Sequence, residues 1–373
     1  MNALRSTWFG SKGNALTVLN VTFSASIICG VFSFLSCNKA STAAVDTRWG
    51  TVASTAQIVI MAPTGTEPVP GQVEPWAWEL VVMNLDGTGR KQITHNREQE
   101  FLPHFSPDGT RILYTRNTSG GYGVPGSQSR VTVYDFATNS TRDLTNTGKD
   151  HYPVWSPDGT RIAFLSMRDV AVGGGALWVM NADGANAHEI ARPIGTNLDH
   201  AWGDIAWSSQ NWILFVVAEN NETNTCFKTR LDKIRPDGTQ RTKVTDGGPN
   251  CTPTGMEQSG DADPGFSADG SVIYTSRGFP YSPPGILGAT VRKLHAVSSD
   301  AWYSGKIERD LSLANASDGI EGVPKGSPDG LRIILFRAYQ GESFGITVTD
   351  TAGTFRTWIA NGFGPDWNPV WKP

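Results

Sequence analysis

The chain has 373 residues, room for two average domains or for one larger repeat fold. Lys and Arg total 31 against 35 Asp and Glu, a formal charge of −4, so bulk charge gives no case for a nucleic-acid partner. With 41 Gly, 22 Pro and 13 Trp, and apolar residues in short runs broken by Asp-Gly and Pro-Asp-Gly, the composition points to an all-β chain of short strands and tight turns.

In chain order, the first element is an export segment. Arg5 and Lys12 precede an uncharged apolar stretch from Ala15 to Ser36, the pattern that opens a secretory signal or a membrane anchor. It ends in Phe34-Leu35-Ser36-Cys37, which resembles a bacterial lipobox with Cys37 as the lipidated residue, although Phe34 stands where Leu is usual. A lipoprotein signal, an ordinary cleaved signal and an uncleaved anchor all stay open. Residues 1–37 are therefore set apart from the fold, and 38–55, rich in Ala, Ser and Thr, read as a tether to a body spanning 56–373.

Within that body one phrase recurs. Pro103-His104-Phe105-Ser106-Pro107-Asp108-Gly109 is followed by Pro153-Val154-Trp155-Ser156-Pro157-Asp158-Gly159 and by Pro264-Gly265-Phe266-Ser267-Ala268-Asp269-Gly270. Weaker copies start at Ile205 and Pro324, and Pro369-Val370-Trp371-Lys372 reads as a truncated sixth. Each turn is followed by a β-branched and aromatic run such as Arg111 to Arg116 or Arg161 to Ser166, and then by further strand and turn signals. Four antiparallel strands per copy describe a propeller blade. The aromatics at the third position (Phe105, Trp155, Trp207, Phe266, Trp371, with Gly326 the exception) read as packing between blades. Ala56 to Ile60 aligns with a second strand and Pro369 to Lys372 with a first, so the expected fold is a six-bladed β-propeller closed by both terminal strands in one blade.

At these residues the chain resembles the TolB-like propeller family, whose repeat consensus is close to Pro-Ala-Trp-Ser-Pro-Asp-Gly. The resemblance covers 56–373 and five of the six copies. It implies a binding platform, a subunit of a larger machine or an accessory domain of a hydrolase, and so specifies fold more than function. The family's namesake carries an α/β domain ahead of its propeller, which the tether before Ala56 does not supply.

In such blades the Pro-Asp-Gly and Asp-Gly turns share one face, and the longer connections, among them Asn117 to Arg130 and Gly247 to Asp263, share the other, where function is expected. Cys226 and Cys251 fall at neighbouring strand ends of one blade and suit a disulfide in an oxidising compartment. Three residues before each repeat's Pro stand Glu100, Asp150, Asp261, Glu321 and Asp366, with Trp202 the exception and Asp204 close by. These acids read either as a ligand-binding ring at the channel mouth or as separate caps of their own loops. His151 and His200, beside Asp150 and Asp199, are candidate ligands of a divalent cation or solvated loop histidines. No Gly-x-Ser-x-Gly elbow, His-Glu-x-x-His helix, P-loop or Cys-x-x-Cys pair is present. The leading expectation is a non-catalytic, monomeric cell-envelope protein, in the periplasm or tethered to the outer membrane through an N-terminal lipid or anchor. It needs no cofactor and binds a protein or peptide, with a glycan as a further partner class. The alternative is a metal-assisted polysaccharide lyase or hydrolase.

Overall fold

The computed structural model describes residues 56–64, 77–96, 98–118, 128–168, 175–192, 199–220, 227–247, 258–281, 289–298, 309–312, 319–339 and 345–371. The export segment with Cys37, the tether, and Cys226 and Cys251 lie outside the described residues.

Among the described residues every regular element is a strand, and the strands number 24. β1 (Ile58–Thr64), β2 (Ala77–Met83) and β3 (Lys91–Gln92) pair in order, and β24 (Phe363–Trp367) pairs with the free side of β1. Two further four-stranded antiparallel sheets follow. The first is β4 (Gln99–Phe105), β5 (Arg111–Thr118), β6 (Gln128–Asp135) and β7 (Ser140–Asp143). The second is β8 (Asp150–Trp155), β9 (Arg161–Ser166), β10 (Ala176–Asn181) and β11 (His188–Ala191). The remaining 12 strands form one sheet in three antiparallel runs. These are β12 (Asp199–Trp207) with β13 (Ile213–Asn220), β14 (Phe227–Ile234) and β15 (Thr242–Lys243); β16 (Gln258–Phe266) with β17 (Val272–Tyr281), β18 (Ala289–Ser298) and β19 (Arg309–Asp310); and β20 (Gly319–Gly326) with β21 (Arg332–Tyr339), β22 (Gly345–Asp350) and β23 (Thr357–Ala360). Short parallel contacts, β14 to β16 and β18 to β20, join the runs. The leading strands β4, β8, β12, β16, β20 and β24 each lie against the next, and β24 lies against β4.

The repeated phrase folds into a self-contained polar knot. Ser106 Oγ donates to Asp108 Oδ1 at 2.5 Å, and the same carboxylate accepts the Thr110 amide at 3.1 Å and hydroxyl at 2.8 Å. Ser106 Oγ also accepts the Arg111 amide at 2.9 Å, which starts the next strand. Gly109 closes the turn at φ +68°, where a side chain would be strained. The Ser-to-Asp bond and the strand amide to Ser Oγ recur at Ser156, Ser267 and Ser327. A second repeated device has a weaker sequence trace. Thr94, Thr145 and Thr245, each just after a fourth strand, accept the amides of Leu80, Val131 and Leu231 at 2.8–3.0 Å, satisfying buried third-strand donors where the ladder ends.

The third-position aromatics pack on the preceding four-stranded group. Phe105 joins Val59 and Leu80, Trp155 joins Leu113 and Val133, Trp207 joins Leu165 and Leu177, and Phe266 packs on Leu214 and Val216. Gly326 is the exception for a steric reason. A Cβ there would stand 2.6 Å from the Phe266 carbonyl and 3.2 Å from the Tyr274 ring, so the neighbouring group's tyrosine already fills the space.

The sixth copy is displaced by four residues from the sequence expectation. Trp367, not Trp371, pairs with Ile58 as Phe105 pairs with Ile112, and Asn368 takes the place of Ser106. Pro369-Val370-Trp371 resembles Pro153-Val154-Trp155, but pairing with β1 selects Pro365-Asp366-Trp367-Asn368 instead. Trp371 lies beyond the strand and stacks on Trp367 with centroids 5.8 Å apart. Asn368 is buried, takes the Gln57 carbonyl through its amide at 2.8 Å and donates from Nδ2 to the Ala56 carbonyl at 2.9 Å. Replacing it, Asn368→Ala, should lower the unfolding free energy by about 1–3 kcal/mol in urea titration, with exposed Asn146→Ala within about 0.5 kcal/mol of the parent.

Candidate functional site

The leading strands define what stands at the middle of the molecule. Each of five carries a register shift just before the repeated phrase, at Phe101/His104, His151/Val154, Trp202/Ile205, Ala262/Gly265 and Gly322/Lys325. At four of these bulges the backbone is left-handed: Leu102, Tyr152, Asp263 and Val323 have φ of 48°, 52°, 50° and 51°. That conformation is unfavourable for a β-branched valine, so its recurrence marks a bulge the fold imposes. Leu102, Tyr152 and Val323 thereby enter one buried apolar cluster with Ile205 and Phe363. Side chains from several groups meet there and fill the centre.

A buried charged layer accompanies this apolar plug. Lys325 Nζ donates to Asp204 Oδ2 at 2.9 Å, and Asp204 Oδ1 accepts the Ile205 amide at 2.8 Å. The His104 ring lies between Asp204 and Asp366, 3.9 Å and 3.8 Å from their carboxylates, and its Nε2 has no hydrogen-bond partner. Asp366 Oδ2 accepts the Phe105 amide at 2.9 Å, and Trp367 Nε1 donates to the Lys325 carbonyl at 2.9 Å. Burial opposes ionisation of Asp204, yet Lys325 and His104 hold its carboxyl down to about 2. At Asp366 burial prevails over the same two groups and the carboxyl is raised. His104, Lys325 and Asp366 share the second position of the phrase in three copies. Sequence reasoning named Asp204 and Asp366 but did not join them to His104 and Lys325, because a His, a Lys and an Asp at one repeat position look like solvated substitutions.

Four of the five expected ring acids keep their common position, and the partners of each are local. Asp150 accepts Arg168 at 2.9 Å and the Thr147 hydroxyl at 2.5 Å. Asp261 takes a bidentate Arg277 at 2.6 Å and 2.6 Å, and Glu321 a bidentate Arg356 at 2.7 Å and 3.0 Å. Glu100 accepts Asn96 Nδ2 at 2.7 Å and the Thr94 hydroxyl at 3.2 Å; burial, with Glu79 beside it, pushes its carboxyl up to about 9. All four are fully buried or nearly so. Asp366 is not one of them: the four-residue displacement puts Gly362 at the Glu100 place and Asp366 at the His104 place.

His151 is buried on β8, with Asp150 before it. His200 falls where the backbone of β12 alone is described. Among the described residues no group of three or more His, Cys, Asp or Glu is arranged to hold a metal ion. The longest connections of the expected functional face fall largely outside the described residues.

No protein-family model matches the chain. A stretch of 125 residues is 29% identical to the Tol-Pal system protein TolB of Anaeromyxobacter dehalogenans, covering 34% of this chain and 26% of the relative. The match thus spans about a quarter of the curated relative's length. In three dimensions the chain is similar to TolB from Acinetobacter baumannii, with 17% identity and a TM-score of 0.57 over 85% of this chain and 67% of that one. Hydrazine synthase of Kuenenia stuttgartiensis gives 16% identity and a TM-score of 0.58 over 84% of this chain and 46% of that one. The chain is therefore homologous to TolB over part of its length and shares the TolB-like propeller fold.

Two measurements probe the buried groups. Lys325→Met leaves Asp204 buried without its counter-ion and should lower stability by about 3–5 kcal/mol, and adding Asp204→Asn should recover most of the loss. Burial pushes the His151 imidazole down to about 4 against the opposing pull of Asp150. The unfolded chain takes up this proton near 6.5 and the folded chain near 4, so stability is full above that window and falls on acidification through it. The loss should reach about 3 kcal/mol, and His151→Gln should flatten the acid limb of a urea stability profile.

Proposed function

We propose that this chain is a non-catalytic binding or scaffold protein of the cell envelope, built as a six-bladed β-propeller that β24 and β1 close within one blade. The cyclic neighbourhood of the leading strands and the grouping of strands by fours support that architecture. The observation that carries the function is the local homology to TolB, a protein named for the Tol-Pal system. By that analogy the partner is an envelope protein or peptide. Residues 1–37 direct export to the periplasm, with Cys37 as the lipid attachment point, and a Cys226 to Cys251 bridge staples two connections on the binding face.

Contact with the partner falls on the face of the longer connections. The opposite face carries the Ser-Pro-Asp-Gly and Ser-Ala-Asp-Gly knots, in which the Ser hydroxyl and the Asp carboxylate bond to each other. The paired acids Asp150, Asp261 and Glu321 fix where each connection enters its leading strand, and so present the loops to a ligand.

The test is capture of envelope proteins on the full chain, followed by titration of the purified partner. Asn146→Arg with Lys149→Glu alters exposed residues of the β7–β8 connection and should weaken binding at least about tenfold, or about 1.4 kcal/mol. Leu331→Glu, on the turn face, should leave it unchanged. Loss through Leu331→Glu alone would move the interface to the other side of the molecule.

A further inference from the structure

The leading-strand acids provide an internal comparison. Asp150, Asp261 and Glu321 are each buried against a guanidinium, from Arg168, Arg277 and Arg356. Glu100 stands at the same place in β4 and is as fully buried, yet among the described residues its hydrogen-bond partners are the uncharged Thr94 and Asn96. Its cross-strand neighbour is Arg116, just as Arg277 is that of Asp261. Arg116, however, is turned to Glu98 and Asp143, each at 3.0 Å. Facing Glu100 instead is a second buried carboxylate, Glu79 on β2.

Two carboxylates together in a low-dielectric site repel unless a positive charge stands between them. The polar atoms around this pair are unevenly used. Glu79 Oε1 accepts the Asn96 amide at 2.8 Å, while Glu79 Oε2 has no hydrogen-bond partner. The Tyr114 hydroxyl is also buried without a partner, and Glu100 is the charge that acts on it most strongly. Thr94 Oγ1 and the Asn96 side chain complete the surroundings of Glu100. Asn96 Nδ2 serves Glu100 as a hydrogen-bond donor, and the remaining side-chain atoms of the set are oxygens, a hard set suited to Ca²⁺ and unlike the thiolate and imidazole sites of softer metals.

We propose that a hard divalent cation of the Ca²⁺ type binds between Glu79 and Glu100, in the place that a guanidinium fills at Asp150, Asp261 and Glu321. The cation joins β2 to β4 and so ties the group closed by β24 to the one that follows it. This site is separate from the charged layer of His104, Asp204, Lys325 and Asp366, and the inference holds whatever the chain binds on its loop face. Without the cation a shared proton must do the same work, in keeping with the raised Glu100 carboxyl.

The experiment follows thermal unfolding of the full chain by circular dichroism after EDTA treatment, with Ca²⁺ titrated back at neutral pH. Tb³⁺ luminescence sensitised through Tyr114 and Trp78 is read in parallel. Saturating Ca²⁺ should raise Tm by about 4–8 °C and displace Tb³⁺. Glu79→Gln and Glu100→Gln should each abolish both signals while melting, without metal, at or above the EDTA-treated parent. No shift with millimolar Ca²⁺, Mg²⁺ or Mn²⁺ would overturn the proposal in favour of the shared proton. A shift that survives in both glutamine variants would overturn it in favour of a site elsewhere.

Discussion

The antiparallel pairing of β24 with β1 is the constraint on which the other observations depend. It joins residues some three hundred positions apart, Trp367 with Ile58 and Asp366 with Val59, and covers an edge that β1 would otherwise leave open. The same pairing sets the register of the last repeat. A four-residue difference in that register decides whether Asp366 belongs with the loop acids or with His104 and Lys325. Long-range pairing is costly in loop entropy, and the buried Asn368 bridge to Ala56 and Gln57 offsets part of that cost at the seam.

Among the leading strands the chain stores charge in two distinct ways. In the loop-proximal layer, carboxylates are neutralised by arginines within their own group, as at Asp261 and Glu321. At the centre the ions come from different groups: Lys325 on β20 meets Asp204 on β12, and His104 on β4 stands between Asp204 and Asp366 on β24. Buried pairs of the second kind add little net stability compared with apolar packing, but they penalise any arrangement that separates their members. They therefore act on how the groups sit around the axis more than on the strength of any one sheet. The left-handed bulges at Leu102, Tyr152 and Val323 accompany these ions, since they bring apolar side chains into one cluster, and two residues after Leu102 and Val323 stand His104 and Lys325.

This arrangement shapes where recognition can occur. Leu102, Tyr152 and Val323 pack together in one buried cluster, and among the described residues the acids beside it are buried. Asp150, Asp261 and Glu321, each paired with an arginine, are committed to contacts inside the protein. The fold is shared with proteins as different as TolB and hydrazine synthase, so function must rest on such local features.

Much of the architecture is legible in the sequence because its causes are local. Ser-Pro-Asp-Gly makes its own hydrogen bonds within six residues, so each copy announces a turn and the strand that follows it. The common place of Glu100, Asp150, Asp261 and Glu321 before the leading strand is equally readable, because repeat spacing fixes it. Which guanidinium each acid meets is not readable: Arg356 reaches Glu321 from 35 residues away, and Arg116 turns from its cross-strand neighbour Glu100 to Glu98 and Asp143. The register of β24 is hidden from the sequence for a similar reason, since Pro369-Val370-Trp371 carries the better local likeness while Ile58 and Gln57 select Trp367 and Asn368. The sequence by itself determined the strands, their turns and the repeat. Only the tertiary structure decided which charges are paired, because a guanidinium or ammonium chooses its carboxylate by the packing of strands and turns and not by spacing in the chain.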